Sequence, residues 1–334
     1  MRSVRAAIAL AGLIAATLSL HASQAQDVEP AAAPAPPAAD TVPADVVAIG
    51  KDINNRMTVP VEIGNAGPYH FLIDTGAQRT VISQELAQHL SLGQGEPVRM
   101  HTMTEASNVT TALIPNLRVS QNNISNVNAP ALPAANIGGA GMLGVDSLES
   151  RRVTIDFGSK KMSISPSEKR VENWGPDVIV VHGRTLLGRL ILADAWIDGE
   201  KITVVVDTGS EMTIGNSALR RRLEAKRRIR KTIPVEVVSV TGGKFVADYT
   251  WARHVKLGSA NIDNMPIGFA DVHPFKQLGL RDRPAILLGM DTLRLFERVS
   301  VDFARKEVRF LFKDPASSRF GSQDNYSGGR LKRL

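Results

Sequence analysis

The chain has 334 residues, and its 40 Lys and Arg against 33 Asp and Glu give a formal net charge of +7. This excess is small for the length, so it suits solubility or an anionic partner and does not require nucleic acid. The chain contains no cysteine, which excludes disulfide scaffolds, thiolate zinc sites, iron–sulfur clusters and cysteine nucleophiles.

The N-terminus has the pattern of an export signal. Arg2 and Arg5 precede an apolar run over residues 6–20, and small residues follow up to Ala25. The apolar run is shorter than the roughly 20 residues that span a bilayer. Residues 1–25 are therefore predicted to be a signal peptide cleaved after Ala25, and the mature protein is expected in the periplasm or cell envelope.

Composition divides the remaining chain into segments. Residues 26–48 are rich in Pro and Ala and predict an extended linker, because such a sequence cannot bury apolar surface. Residues 314–334 are polar and basic and predict a disordered tail. Between them we predict an N-terminal lobe over residues 49–165, an inter-lobe connection over 166–185 and a C-terminal lobe over 186–313.

The two lobes are predicted because the sequence repeats itself. Phe-Leu-Ile-Asp-Thr-Gly-Ala at residues 71–77 returns as Val-Val-Val-Asp-Thr-Gly-Ser at residues 204–210. Met-Leu-Gly-Val-Asp-Ser-Leu at residues 142–148 returns as Leu-Leu-Gly-Met-Asp-Thr-Leu at residues 287–293. Further phrases recur before and after these in the same order, which indicates a tandem duplication.

Within each lobe, short runs rich in Val, Ile and Thr are bounded by Gly, Asn and Pro and predict strands. Helices are predicted only at residues 83–90 and 216–230. The predicted fold class is therefore mostly β. The predicted strands are residues 57–63, 69–73, 98–103, 111–119 and 153–157, then 190–197, 201–206, 234–240, 244–249 and 299–303.

In each repeat an apolar strand runs directly into Asp-Thr-Gly, which places Asp74 and Asp207 at the mouths of tight turns that glycine permits. Two such turns in a duplicated unit predict facing carboxyls, which share a proton because like charges so close cannot both ionise. One carboxylate then accepts a proton from water while the other carboxyl donates one to a substrate carbonyl. This chemistry requires neither a cofactor nor a metal.

These phrases resemble the retropepsin-type aspartic proteases, and more closely the exported bacterial proteins that carry two such domains in one chain. The resemblance covers about residues 50–312 and implies two β-barrel lobes related by a pseudo-twofold axis, the acid-protease fold. It also implies an aspartic endopeptidase, active as a single chain on protein or peptide substrates, with Asp74 and Asp207 as the catalytic pair.

The resemblance implies further roles around this pair. Thr75 and Thr208 would exchange hydrogen bonds between the lobes, and the Leu-Gly phrases would pack beneath the catalytic loops. The supporting residues so implied are Thr75, Gly76, Leu143, Gly144, Thr208, Gly209, Ser210, Leu288 and Gly289. The Ser210 hydroxyl would hydrogen-bond to Asp207 and favour its charged form, which would leave the shared proton more often on Asp74.

The flaps that cover the cleft in this family are usually glycine-rich hairpins between the Asp-Thr-Gly and Leu-Gly phrases. In the second lobe, Thr241, Gly242 and Gly243 join two predicted strands and are the flap candidate. Residues 104–108 of the first lobe contain no glycine, which leaves the flap role of that segment open.

Other motifs favour different functions less well. Residues 139–144 match Gly-x-Gly-x-x-Gly but lack the strand–helix context of a dinucleotide site. The histidines are scattered without a His-x-x-x-His pair, so metal binding is not expected. A catalytically silent relative that binds peptides or proteins is the alternative to a protease, and a carboxylate-pair glycosidase fits the Asp-Thr-Gly turns poorly.

The densest cluster of charge begins at Arg220 and ends at Lys231. Such a run is usually the solvated face of a helix. Its functional interpretation is a docking patch for an anionic membrane surface or an acidic protein.

Overall fold

The computed structural model describes residues 46–48, 50–51, 57–119, 121–229, 231–239 and 243–313. The predicted signal peptide, most of the predicted linker, the predicted tail and the flap residues Thr241 and Gly242 lie outside the described residues. Within the described ranges every helix is too short or too polar to cross a membrane. Two similar lobes built mainly of strands confirm the predicted fold class.

The described residues of the first half of the chain form eleven strands and two short helices. They are β1 (Val46–Ala48), β2 (Gly50–Lys51), β3 (Met57–Ile63), β4 (Ala66–Ile73), β5 (Val81–Ser83), α1 (Gln84–His89), β6 (Gln94–His101), β7 (Ala106–Val119), β8 (Asn122–Leu132), α2 (Ala134–Ile137), β9 (Gly141–Leu143), β10 (Arg151–Asp156) and β11 (Lys161–Pro166). A 3₁₀ turn over Val145–Ser147 follows β9.

The second half repeats this order after one additional strand. Its elements are β12 (Ile179–Leu186), β13 (Arg189–Ile197), β14 (Glu200–Val206), β15 (Ile214–Gly215), α3 (Ser217–Ala225), β16 (Ile233–Val238), β17 (Lys244–Leu257), β18 (Ala260–Phe269), α4 (His273–Gln277), β19 (Ala285–Leu288), α5 (Met290–Leu293), β20 (Phe296–Asp302) and β21 (Glu307–Phe312).

Each lobe is a closed barrel of six strands. In the first lobe the order is β3-β4-β9-β5-β8-β7, and β7 pairs back onto β3. In the second lobe the order is β13-β14-β19-β15-β18-β17, and β17 pairs back onto β13. In both, the strand that ends at Asp-Thr-Gly pairs in parallel with the strand that ends at Leu-Gly. The sequence repeat is therefore a structural repeat.

The barrels close around aliphatic cores. Val59, Val61 and Ile63 alternate along β3 and are buried, as expected for a strand with one face toward the core. The end of β4 is buried on both faces, because Phe71 and Ile73 face the main core whereas Leu72 packs in a second apolar cluster on the other side. The continuous apolar run before each Asp-Thr-Gly reflects this double burial.

A six-stranded sheet joins the lobes, in the order β1-β11-β10-β20-β21-β12. At its centre β10 of the first repeat pairs antiparallel with β20 of the second, and the hydroxyls of Thr154 and Ser300 bond across that pair at 3.0 Å. Residues 166–185, predicted as a connection, include most of β12, which belongs to this sheet. The second barrel continues this sheet through the pairing of β12 with β13, whereas the strands of the first barrel form a sheet of their own.

The predicted strands all overlap observed strands, whereas one predicted helix is too long. The prediction extends this helix to about residue 230, but α3 ends at Ala225. The reason is local, because Arg227 adopts a left-handed conformation with φ of 54° and the chain turns away. Asn216 caps the start of α3 by accepting from the amide of Leu219 at 2.9 Å.

We expect Phe296→Ala to lower the free energy of unfolding by about 3–5 kcal/mol, because it empties a fully buried site in the shared sheet. The Phe296 ring lies 4.7 Å from that of Phe310 and 4.9 Å from that of Phe312, centroid to centroid. Guanidinium denaturation would measure the loss. Val246→Ala, at a side chain 60% exposed, is the control and should change stability by less than about 0.5 kcal/mol.

Candidate functional site

The two Asp-Thr-Gly loops meet between the lobes. Each begins where its strand leaves the barrel, and the Asp backbone amide still donates to the neighbouring strand. Asp74 donates to the Leu143 carbonyl and Asp207 to the Leu288 carbonyl, both at 3.0 Å. The leucine of each Leu-Gly phrase thus anchors the start of the loop beside it.

Thr75 and Thr208 exchange hydrogen bonds across this junction. The amide of each donates to the hydroxyl of the other, at 3.0 Å in both directions. Each hydroxyl then donates to the other repeat, Thr75 to the carbonyl of Val206 at 3.0 Å and Thr208 to that of Ile73 at 2.9 Å. Both threonines are buried, so this lattice holds the loops in one relative position.

The glycines of the two loops lie against the opposite carboxyls. A Cβ on Gly76 would lie 2.5 Å from Oδ1 of Asp207, and a Cβ on Gly209 would overlap the carboxyl of Asp74. No side chain other than hydrogen fits either space. The structure therefore brings Asp74 and Asp207 together face to face, close enough for each carboxyl to affect the pKa of the other.

A second pair of matching networks lies beneath the loops. In the first lobe the Gly144 amide donates to the Thr80 hydroxyl at 3.1 Å, which donates to Asp146 at 2.8 Å. In the second lobe Gly289, Thr213 and Asp291 repeat these bonds at 3.0 and 2.6 Å. Both glycines need to be glycine, since a Cβ would strike the backbone of the loop above.

Sequence reasoning did not assign roles to Asp146 and Asp291, although both stand in the repeated Leu-Gly phrase. Each accepts the backbone amide of its threonine as well as the hydroxyl. Burial raises the pKa of Asp291, and the donors from Thr213 and Thr292 oppose that rise. The invariance of the two aspartates between the repeats was the available signal.

The carboxyls of the central pair are both protonated more readily than ordinary aspartates. Burial raises the pKa of Asp74, against the opposing effects of the Gly76 amide, Arg189 and the Ala77 amide. Burial and the neighbouring charge of Asp74 raise the pKa of Asp207 to about 7. Desolvation and mutual repulsion both favour a state in which the pair holds one proton.

The predicted hydrogen bond from Ser210 to Asp207 is wrong. The Ser210 hydroxyl donates instead to the carbonyl of Met212 at 2.7 Å. Among the backbone amides that the structure describes, Asp207 accepts that of Gly209 at 3.1 Å, whereas Asp74 accepts those of Gly76 and Ala77 at 2.8 and 2.9 Å. Backbone donors stabilise the charged form of a carboxyl, so these bonds favour the shared proton on Asp207. The sequence-based prediction had placed it on Asp74.

An arginine outside both motifs also lies at the site. Arg189 opens β13, is only 5% exposed, and donates from Nε to the carbonyl of Gly76 at 2.5 Å. Its positive charge acts on both central carboxyls, and burial lowers its own pKa. Nothing in its sequence context distinguishes it from other arginines, so sequence reasoning missed it.

Both flap segments occupy the mouth of the cleft. In the first lobe β6 and β7 form a hairpin whose tip spans residues 102–105, and it takes the flap position although it lacks glycine. The Thr102 amide donates to the Glu105 carbonyl and closes this tip at 2.8 Å. In the second lobe β16 and β17 form the corresponding hairpin, where a Cβ on Gly243 would lie 2.5 Å from the Thr104 hydroxyl. The flap tips thus contact each other.

The first flap is also fixed to the opposite lobe by two histidines. His101 Nδ1 lies 2.8 Å from His273 Nε2, and the rings stack with centroids 5.1 Å apart. The amide of His273 donates to the carbonyl of Met103 at 2.8 Å. Burial lowers the pKa of His273, and the charges of His101, Lys276, Arg189 and Arg99 add to the effect.

Beneath the flaps lies a cleft of about 590 Å³ that contains both carboxyls. Much of its wall is apolar and flexible, formed by Met100, Met103, Met142, Met212, Phe245 and Leu287. The polar residues Arg79, Arg99, His101, Glu211 and Glu236 also line the cleft. Among the residues that the structure describes, no group of three or more His, Asp or Glu side chains is arranged to hold a metal ion.

Some cations of the basic segment 220–231 form ion pairs, and others are exposed. Arg220 bonds to Glu224 and Asp248, and Glu200 accepts Lys226 at 2.5 Å. Arg221, Arg227 and Arg228 are exposed. The structure therefore places part of this run in local ion pairs and leaves a smaller set of cations facing solvent.

Two protein-family models match the chain. Residues 59–150 match the gag-polyprotein putative aspartyl protease, and residues 193–292 match the aspartyl protease model. Each match covers one barrel and includes one Asp-Thr-Gly loop. No curated protein gives a significant match.

We expect acidification to loosen the first flap, because the bond between His101 and His273 requires one ring nitrogen without a proton. The lowered pKa of His273 keeps its ring neutral near pH 7, so the bond should be lost only at a pH below the ordinary histidine range, where both rings are protonated. Hydrogen exchange at residues 102–105, expressed as protection factors, would detect the change. His101→Phe keeps a ring but cannot titrate, so equal pH dependence in both proteins would contradict the prediction.

Proposed function

Because this chain belongs to the retropepsin-like aspartyl proteases, with two such domains in tandem, we propose that it is an aspartic endopeptidase in which Asp74 and Asp207 form one catalytic dyad. The observation that carries the proposal is the reciprocal packing of the two loops. Each glycine lies against the opposite carboxyl and each threonine bonds to the opposite loop. One chain thus supplies both halves of the site.

The hydrogen bonds divide the work between the two carboxyls. Asp74, with two backbone donors, is the ionised member and accepts a proton from the attacking water. Asp207 holds the shared proton and donates it to the carbonyl oxygen of the scissile peptide, which gives a gem-diol. Asp74 then donates the proton that it took from water to the peptide nitrogen as the C–N bond breaks, and one gem-diol hydroxyl returns its proton to Asp207, so both carboxyls regain their starting states.

The cleft favours an extended peptide with apolar side chains near the cleaved bond. Methionine side chains line both sides of the dyad and adapt their shape to different apolar groups. The flap hairpins would cover the substrate and exclude water from the reaction. Substrate entry requires the flap tips to separate, since they are in contact with each other.

The proposal extends to the place where the enzyme works. The charged start, apolar run and small residues of segment 1–25 support export to the periplasm or cell envelope. N-terminal sequencing of the exported protein would test cleavage after Ala25. Contact with an anionic membrane through the exposed arginines of segment 220–231 is part of the same proposal, and salt-dependent sedimentation with anionic vesicles tests it.

We expect Asp74→Asn and Asp207→Asn each to reduce peptide cleavage by about 10²–10⁴-fold or more, because each removes one half of the proton transfer. A peptide library measured by mass spectrometry provides the assay. Mixing the two variants should not restore activity, because both carboxyls belong to one chain. Asp263→Asn, at a partly exposed carboxyl paired with His254, is the matched control.

Two outcomes would contradict this arrangement. Substantial cleavage by either variant that rises with protein concentration would indicate pairing between chains. Equal peptide binding by wild type and Asp74→Asn without cleavage by either would indicate a silent peptide-binding relative.

We expect the rate to follow a bell-shaped pH profile. On the alkaline side activity falls as the pH rises through about 7, where Asp207 loses the shared proton. On the acid side it falls as Asp74 is protonated. The measurement is kcat/KM, determined from initial rates between pH 3 and 9. A value of kcat/KM that continues to rise up to pH 9 would exclude this dyad.

A further inference from the structure

Arg189 holds the peptide group that carries one of the hydrogen bonds to Asp74. Its Nε donates to the Gly76 carbonyl at 2.5 Å. That carbonyl and the amide of Ala77 belong to the same peptide unit, and the amide donates to Asp74 Oδ1 at 2.9 Å. The guanidinium, the peptide and the carboxylate therefore form a continuous chain of hydrogen bonds in which each bond polarises the next.

The side chain of Arg189 is held in place from the second lobe. It is 5% exposed, and its Nη1 reaches Gln277 Oε1 of α4 at 3.4 Å. Gln277 in turn lies 3.5 Å from Gln78 of the first loop, and Gln78 donates to the carbonyl of Leu187 at 2.8 Å. The two glutamines are neutral, so the arginine has no neighbouring counterion in this network.

The charged groups around Arg189 are few. Asp74 and Asp207 are the acids that act on its charge. Of the other acids that line the cleft, Glu211 is bound by Arg294 and Glu236 by Lys244. The cations Arg79 and Arg99 and the histidines His101 and His273 share the same region. The central carboxyls are thus the acids with which the buried guanidinium interacts.

We propose that Arg189 is a positioning residue that keeps the Asp74–Asp207 pair singly ionised with the negative charge on Asp74, by fixing and polarising the peptide between Gly76 and Ala77. The inference rests on the proposed function for its consequence in catalysis, but the ionisation it describes is a property of the folded protein alone. Because Arg189 is buried, little solvent screens its charge, and its electrostatic effect on the carboxyl pair is stronger than that of an exposed cation.

The sign of the effect follows from the charge. A cation favours every ionised state of the pair, so its removal makes both protons harder to lose. Arg189→Gln should therefore move both limbs of the kcat/KM profile to higher pH, by about one unit or more. Arg189→Lys keeps the charge but cannot match the Nε geometry, and we expect its shift in the same direction to be smaller. A merely structural role would lower the rate and leave the midpoints unchanged.

A titration without substrate separates this inference from the proposed function. The ¹³C shifts of the Asp74 and Asp207 carboxyls should titrate at higher pH in Arg189→Gln than in wild type. Arg221→Gln, at an exposed arginine of α3, removes the same charge far from this network and should leave both midpoints in place. If wild type cleaves no peptide but this shift is found, the inference holds and the proposed function fails.

Wild-type protein provides a measurement that does not depend on a variant's folding. The ¹⁵N shifts of Arg189 Nε and of the Ala77 amide should change with pH at the midpoint of Asp74 ionisation, and Asp74→Asn should abolish that change. If Arg189 Nε is insensitive to pH across the carboxyl titration, or if Arg189→Gln leaves the carboxyl midpoints unmoved, the proposal is overturned.

Discussion

The hydrogen bonds exchanged by Thr75 and Thr208 hold the two Asp-Thr-Gly loops against each other, and this contact fixes the distance between the carboxyls. Each threonine hydroxyl accepts a hydrogen bond from the amide of the other threonine and donates one to a backbone carbonyl of the opposite repeat. In a buried junction a donor or acceptor left unpaired would cost about 1–3 kcal/mol, so the lattice favours one register strongly. Because each aspartate precedes its threonine, the carboxyls have little freedom to separate.

Bringing two acids together in this way opposes stability. Both pKa values are raised, so the folded chain binds protons more tightly than the unfolded chain and loses stability as the pH rises toward 7. The surrounding structure offsets this cost. Backbone pairing of β10 with β20 joins the two repeats, and the networks of Asp146 and Asp291 support the loops from beneath. Together they keep the two carboxyls close to each other in spite of the cost.

Local patterns made the strands predictable and their repetition made the meeting of the central carboxyls predictable, whereas the barrels were implied by the family resemblance. The features that escaped prediction depend on contacts between distant segments. Arg189 reaches Gly76 across 113 positions of the chain, and the tip of the first flap, which lacks glycine, contacts His273 and Gly243 of the other lobe. The sequence favoured a bond from the Ser210 hydroxyl to Asp207, and only the fold shows that the Met212 carbonyl is the acceptor.

Duplication within one chain permits what a dimer of identical chains cannot. In a symmetric dimer the two loops have the same sequence, so neither carboxyl can be favoured by design as the site of the proton. Here Ala77 and Ser210 occupy matching positions, and their loops give Asp74 two backbone donors but Asp207 one. Fusion also keeps the loops together at an effective concentration in the millimolar range. Under the proposed mechanism, a single chain can therefore assign the base to one lobe and the acid to the other before any substrate arrives.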